Sequence, residues 1–488
     1  MNKNIISKEN VLSAVSWHFT GSIVKLFFSF TIGVIIARLL TPSAYGVVGL
    51  ATVFITITNA FVDSGFGMAL IQKKECTSLD FSTVFYFNIF VSIVAYSLIF
   101  LAAGSIANFF HENQLITIIR VLGILIIFDA LNAVQLSQLK KKLNYKFQTL
   151  INIASALISG GLGIFLAYNG YGAWSLIWQA ITNQSILVVG YWISNKWRPK
   201  LEFSFNSLKS LFAFGSRLLL TGIIYQLYNN LNSIMIAKFY SASELGLFTR
   251  ADRFQQISSK QISGTMAEIT FPLFSNIQDD KPNLKKTVRY SIKAVMFVST
   301  PLTFSMMILA KLIILGLIGE RWQGSIQFLQ LLCIYGLFYP IIPIITNIIN
   351  ALGKSDLFLK LEIVRRVMDV PVLFIGAFIG IKEMICVMII VIMISIIITM
   401  RSVHKLIDYS IIELLSDIKS AFLVSLAIGI ALMSYLLTVQ KYFSNFQNLT
   451  ISILISTSLF FIISEVYKIN EYLLLKGFVI NRLKNFKK

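Results

Sequence analysis

The sequence predicts an all-α polytopic membrane protein of about fourteen transmembrane helices arranged in two related halves. Three observations carry this. Apolar residues make up 56% of the 488 and charged residues only 13%, the balance of a chain that lives in lipid. Apolar stretches of about twenty residues recur from end to end. Residues 36–46, IARLLTPSAYG, return as IAKFYSASELG at 236–246, with Ile36, Ala37, Ser43 and Gly46 repeated 200 positions on and Arg38 replaced by Lys238. In each copy an apolar run ends at a cation, a short polar turn without Lys or Arg follows, and a Gly opens the next helical stretch. That is the chemistry of a hairpin between two membrane helices, whose polar residues satisfy the backbone where the chain leaves lipid.

Spans are expected at Ser16–Leu40, Tyr45–Leu70, Thr83–Ile106, Leu115–Leu136, Thr149–Ala167 and Tyr171–Ile193 in the first half. The second half gives Leu211–Phe239, Leu245–Ser275, Tyr290–Ile318, Ile326–Leu352, Glu362–Ile379, Lys382–Val403, Ala421–Leu437 and Thr450–Val466. Loop charge tests this series independently. Connections on the side of the N-terminus carry Lys73 and Lys74, Lys140 to Lys142 with Lys146, Lys196 to Lys209, Lys281 to Arg289, Lys354 to Arg366, and Arg401 to Lys419, and a basic tail follows. Opposite loops hold only Arg321, Lys382 and Lys441. By the positive-inside rule both termini are cytoplasmic. The same parity favours a crossing for Leu245–Ser275, whose charges would otherwise suit an amphipathic helix on the surface.

Several classes are excluded. A net charge of +20 spread between apolar spans is no nucleic-acid footprint, which needs cations gathered on one soluble face. Cys76, Cys333 and Cys386 lie far apart, as do His18, His111 and His404, so neither a disulfide framework nor a metal centre is expected. The polar, basic start runs into a stretch too long for a signal peptide and reads as an uncleaved first span. No Ser/His/Asp set, catalytic carboxylate pair or Walker loop is present, so the chain is not expected to be an enzyme. Pro272, Pro301, Pro340, Pro343 and Pro371 fall in or beside spans as kinks, and Ser159 with Gly163 forms a face for close helix packing.

Charge inside the spans is the remaining signal. A cation at mid-membrane costs roughly 2.5–3.5 kcal/mol on insertion scales, and Lys25, Arg250, Arg253 and Lys260 sit too deep to reach the interface easily. Arg250, Arg253, Gln256, Lys260 and Ser263 recur at steps of three and four, hence on one stripe. Thr52, Thr56, Asn59 and Asp63 form a stripe at the matching place in the first half. Ser22, Lys25 and Ser29, and likewise Gln226, Asn229, Asn230 and Ser233, mark polar faces on helices one and seven. Four such faces are expected to meet at a common wet cavity, and its surplus of positive charge implies an anionic cargo. Asp63, Asp129, Glu268 and Asp369 are the other ionisable groups within spans; each suits a coupling proton or Na⁺ and equally a salt bridge.

The stretches IIARLLTPSAYGVVGLATVF, FVDSGFGMALIQKKECTSLDFSTVFYFN, YSASELGLFTRADRF and FPLFSNIQDD resemble the polysaccharide-transporter branch of the MOP superfamily, the Wzx-type flippases. The likeness covers most of the chain and is most specific in Ile35–Asn88. It implies two pseudo-symmetric six-helix lobes and two further helices around a central cavity, with residues 1–200 and 201–410 as the lobes and 411–488 as helices thirteen and fourteen with the tail. It also implies movement of an undecaprenyl-diphosphate-linked oligosaccharide from the cytoplasmic to the outer leaflet of the bacterial inner membrane, by alternating access, for surface polysaccharides such as O-antigen or exopolysaccharide. By that likeness Lys25, Arg250, Arg253 and Lys260 contact diphosphate or acidic sugar, and Asn59 and Gln226 contact sugar hydroxyls. No cofactor is implied beyond H⁺ or Na⁺ coupling, and the polymerase and glycosyltransferases of the pathway are implied partners. An exporter of drugs or metabolites from the same superfamily is the alternative; it predicts a more acidic lining.

Overall fold

In a computed structural model, which describes residues 8–62, 66–73, 76–141, 144–469 and 472–473, every regular element is helical. Contacts divide the chain into two compact units, Met1–Gly246 and Leu247–Lys488. The first contains α1 (Lys8–Leu39), α2 (Pro42–Val62), α3 (Phe66–Gln72), α4 (Ser78–Phe110), α5 (Gln114–Leu122), α6 (Ile124–Lys141), α7 (Tyr145–Tyr168), α8 (Ala173–Ser194), α9 (Phe205–Phe239) and the first turn of α10 (Ala242–Ser258). The second continues α10 and adds α11 (Lys260–Asn276), α12 (Lys281–Ile308), α13 (Ala310–Ile313), α14 (Ser325–Phe338), α15 (Ile341–Ala351), α16 (Ser355–Phe378), α17 (Ile381–Ile407), α18 (Ile411–Thr438) and α19 (Asn445–Val466).

Among the described residues nine helical segments are long and apolar enough to cross a bilayer: α2, α4, α5 with α6, α7, α12, α14 with α15, α17, α18 and α19. The other expected spans also fall on helices, namely α1, α8, α9, α10 with α11, and α16. Those carry most of the intramembrane cations, Lys25, Arg250, Arg253 and Lys260 among them, and their crossing rests on the alternation of loop charge. Large apolar side chains such as Leu101, Phe165, Phe374 and Leu437 are exposed on both units, as a lipid-facing surface requires.

Several spans expected as single helices are broken, and each break has a cause. Gly123 divides α5 from α6 where a Cβ would press into the Tyr96 ring, and Tyr96 Oη donates to the freed Arg120 carbonyl at 3.1 Å. Pro340 separates α14 from α15, having no N–H to continue the ladder. Between α10 and α11, Gln255 Nε2 donates to Ser259 Oγ at 2.5 Å and Thr303 Oγ1 of α12 donates to Ser258 Oγ at 3.0 Å. Hydroxyls and amides that bond across a turn in this way compete with the helix and bend it.

The repeat detected in sequence is also a repeat in structure. Helices α1 and α9 end at Leu39 and Phe239, and α2 and α10 begin at Pro42 and Ala242, so the flanks correspond at the same offset of 200. The two copies touch each other. A Cβ on Gly46 would overlap the carbonyl oxygen of Ala242, and one on Gly246 would overlap that of Pro42. Exchanging each residue for its counterpart leaves the contact unchanged, the mark of a local two-fold relation. Glycine lets the two backbones approach, as in close transmembrane crossings generally. Helix α7 uses the same device against α1, with Gly160 under Ile32 and Gly163 under Ile36, in line with the small-residue face expected there.

In the second unit Leu284, Val288, Ile292 and Met296 of α12 pack with Ile341, Ile345 and Ile348 of α15, Ile396 and Met400 of α17, and Leu414 and Ile418 of α18. One carboxylate pins the polar end of this core. Asp417 accepts from Arg289 Nε and Nη2, both at 2.8 Å, and from Tyr409 Oη at 3.0 Å, while Lys293 Nζ lies 3.5 Å away. Glu413 pairs with Lys285 at 2.9 Å and closes the N-terminus of α18 through a capping box with Ser410.

Two substitutions test these contacts by the thermal midpoint of the purified protein in detergent. Gly46→Ala is expected to lose stability by about 1–3 kcal/mol through overpacking, whereas Gly49→Ala, one turn on with open space around it, is neutral or gains from better helix propensity. Equal midpoints would refute the crossing. Asp417→Asn is expected to cost about 2 kcal/mol, below the usual loss for a broken buried pair because the Arg289 side chain is 35% exposed. Glu413→Gln, further out on the rim, costs less.

Candidate functional site

The cationic stripe expected on one helix is carried by two. Arg250 and Arg253 lie on α10 before the break, and Lys260 opens α11 after it. Arg253 is exposed, while Arg250 and Lys260 are half-buried. The guanidinium of Arg250 sits 5.2 Å from the centre of the Phe254 ring and Lys260 Nζ 5.8 Å from that of Tyr339, distances at which a cation is attracted to a ring face. Among the described residues neither Arg253 nor Lys260 forms an ion pair. Asp252, the nearest acidic residue in sequence, accepts from Gln256 Nε2. Ser263, expected at the end of the stripe, is buried, so the exposed part of the stripe stops short of it.

In the first unit Lys25 is exposed on α1 and Gln226 half-buried on α9, where its carbonyl accepts from Asn230 Nδ2 at 2.8 Å. Thr52 and Thr56 of α2 return their hydroxyls to their own helix. Asn59 does something different. Its Nδ2 donates to Asp129 Oδ2 of α6 at 2.6 Å, and Gln184 Nε2 of α8 donates to the other carboxylate oxygen. The structure therefore brings Asn59 and Asp129 together inside one bundle. Asp369 is half-buried on α16 and Glu268 exposed on α11. Asp63 lies outside the described residues.

Sequence reasoning missed Gln184 and a row of amides on α6. Asn132, Gln135 and Gln138 follow Asp129 at three-residue steps, all at least nine-tenths buried, as is Asn88 of α4. The detectable signal was that spacing on an otherwise apolar span. Lys141, counted as a loop cation, in fact caps α3. Its Nζ donates to the carbonyls of Lys73 at 2.6 Å and Leu70 at 3.2 Å, and lies 3.1 Å from Cys76 Sγ. Similarly Lys238 donates to the Phe109 carbonyl at 2.6 Å at the end of α4, the role of a cation at a helix C-terminus.

Residues 35–327 match the family described as polysaccharide biosynthesis protein, and the chain belongs to that family. Its relatives include the teichuronic acid biosynthesis protein TuaB of Bacillus subtilis, 25% identical over 308 residues covering 63% of each chain. The lipopolysaccharide biosynthesis protein WzxC of Escherichia coli is 22% identical over 371 residues, 76% of this chain and 75% of its own. The match thus spans less than two thirds of TuaB and three quarters of WzxC. Among solved structures the lipid II flippase MurJ in an inward closed conformation superposes with a TM-score of 0.74 over 93% of this chain and 98% of its own, at 16% identity. An inward-facing multidrug resistance MATE family transporter of the MOP superfamily gives 0.63 over 79% and 94%, at 17% identity. These likenesses establish a multi-pass membrane protein with a MurJ- and MATE-like transporter fold.

If Arg253 faces water inside the bilayer, a cysteine there reacts with a membrane-impermeant, charged thiol reagent. With Cys76, Cys333 and Cys386 replaced by serine or alanine, Arg253→Cys is expected to label in vesicles and Phe374→Cys, on the apolar surface, to stay unlabelled. An Arg253→Cys variant that stays unlabelled would place that side chain in lipid or in a closed contact.

Proposed function

We propose that this chain is a flippase that carries an undecaprenyl-diphosphate-linked oligosaccharide from the cytoplasmic to the outer leaflet of the bacterial inner membrane, by alternating access. Membership of a polysaccharide-biosynthesis family and relatives named for teichuronic acid and lipopolysaccharide biosynthesis supply the pathway. The observation that carries the choice of cargo is the positive charge on α10 and α11, where Arg253 and Lys260 lack acidic partners among the described residues. A diphosphate needs such donors, and Arg offers it two parallel hydrogen bonds. Lys25 and Arg250 complete the set for diphosphate or acidic sugar, with Gln226 toward sugar hydroxyls. Both termini face the cytoplasm on this reading, alongside the glycosyltransferases that build the repeat unit, and the polymerase acts on the product outside. The chain catalyses no covalent step. Energy comes from a cation gradient or from consumption of product at the outer surface.

The fold shared with a MATE family transporter supports a second reading, export of a small molecule. It predicts that acidic rather than basic residues are essential. Surface polysaccharide restored to a strain lacking its own flippase discriminates the two. Arg250→Gln with Arg253→Gln is expected to lower the restored polymer by tenfold or more, since each charge-assisted contact is worth about 1.5–3 kcal/mol. The double Lys variant is expected to keep most of it. Unchanged polymer with both arginines neutralised would sink the reading.

A further inference from the structure

We infer that residues 195–204, which join α8 to α9, form a docking surface for anionic phospholipid: an extended edge whose cations take lipid phosphates, followed by apolar side chains that enter the leaflet. The segment is pinned from behind. Lys200 N donates to Ser82 Oγ and Ser204 N to Thr83 Oγ1, both at 3.1 Å, and Asn195 Nδ2 donates to the Gln135 carbonyl at 2.9 Å. Trp197 packs edge to face against Phe81 and Phe85, beside the apolar core of Phe66, Val84 and Val134. These contacts hold the chain against α4 and α6 and fix which side chains turn outward.

Along the extended stretch exposure alternates. Lys196, Arg198 and Lys200 are exposed while Trp197 and Pro199 are half-buried, so three cations share one edge at intervals of about 7 Å. Arg198 is already oriented. Its Nη1 donates to the carbonyls of Asn195 at 2.6 Å and Trp197 at 2.9 Å, and its guanidinium lies 5.5 Å from the centre of the Trp192 ring. Both bonds use Nη1, which leaves Nε and Nη2 for the paired contact that a guanidinium makes with phosphate. Immediately beyond, Leu201 is 94% exposed and Phe205 78%, and the Phe203 and Phe205 rings stand edge to face with centres 5.2 Å apart. Aromatic and apolar side chains beside cations are the pattern of a membrane interface. Charge selects the lipid. Residues 195–210 carry Lys196, Arg198, Lys200 and Lys209 against Glu202 alone, a surplus that an anionic leaflet attracts. The connection follows α8, whose last turn exposes Ile193, and leads back into α9, so the surface it meets is the leaflet both spans cross.

The test follows the full chain in nanodiscs, with Cys76, Cys333 and Cys386 replaced by serine or alanine and a fluorophore attached at Leu201→Cys. Quenching by lipids brominated in the acyl chain reports entry into the leaflet, and quenching by acrylamide reports exposure to water. Phosphatidylglycerol titrated into phosphatidylcholine is expected to raise the first and lower the second. Lys200→Gln leaves the hydrogen bonds of Arg198 and the backbone tie to Ser82 in place. It is expected to raise the phosphatidylglycerol fraction at half effect about fivefold, one cation's share of the attraction. Full acrylamide quenching in every lipid mixture, as a surface for a soluble protein would show, overturns the assignment. So does equal bromine quenching in both lipids, or a phosphatidylglycerol effect that survives Lys196→Gln, Arg198→Gln and Lys200→Gln together. No lipid-linked sugar is present, so this outcome is independent of the flippase reading.

Discussion

The contact on which the arrangement of the first unit depends is the crossing of α2 and the start of α10 at Gly46 and Gly246. Two backbones come close enough there that neither position has room for a β-carbon. A duplicated sequence explains why glycine occurs at both places: each copy is the other's neighbour, so one steric demand is met twice by one residue type. Adjacent helices inherit their placement from it. Helix α1 ends and α9 ends two residues before the crossing pair begins, so their last turns are fixed by where α2 and α10 meet.

Much of this was legible in the chain. The all-helical class followed from apolar composition and span length, because lipid leaves the backbone few other options. The 200-residue offset predicted which helix ends correspond, and the α7 glycines were readable as a packing face. The helix breaks were less accessible. Pro340 announces one, but the interruption at Ser258 and Ser259 depends on Gln255 and on Thr303 from another helix, and a partner 45 residues away leaves no local trace. The cations of α10 and α11 were found by their spacing, yet treating them as one stripe assumed an unbroken helix.

Asn59 illustrates a different limit. On α2 it shares a face with threonines and was grouped with them as cavity lining, since periodicity reports a direction and not what lies there. In the folded unit that direction contains Asp129. The amides of α6 escaped notice for a related reason: residues that differ in charge stand out against an apolar span, whereas neutral amides do not. Their burial is nonetheless costly unless something pairs with them, which makes them a more exacting constraint on the bundle than its exposed cations.

The ion pairs of α18 bear on how this helix is held within its unit. Asp417 and Glu413 pair with Lys285, Arg289 and Lys293 of α12, two negative charges against three positive. Helix α18 is thus bound to α12 by charge as well as by apolar packing, and losing it would take these carboxylates from Lys285 and Arg289.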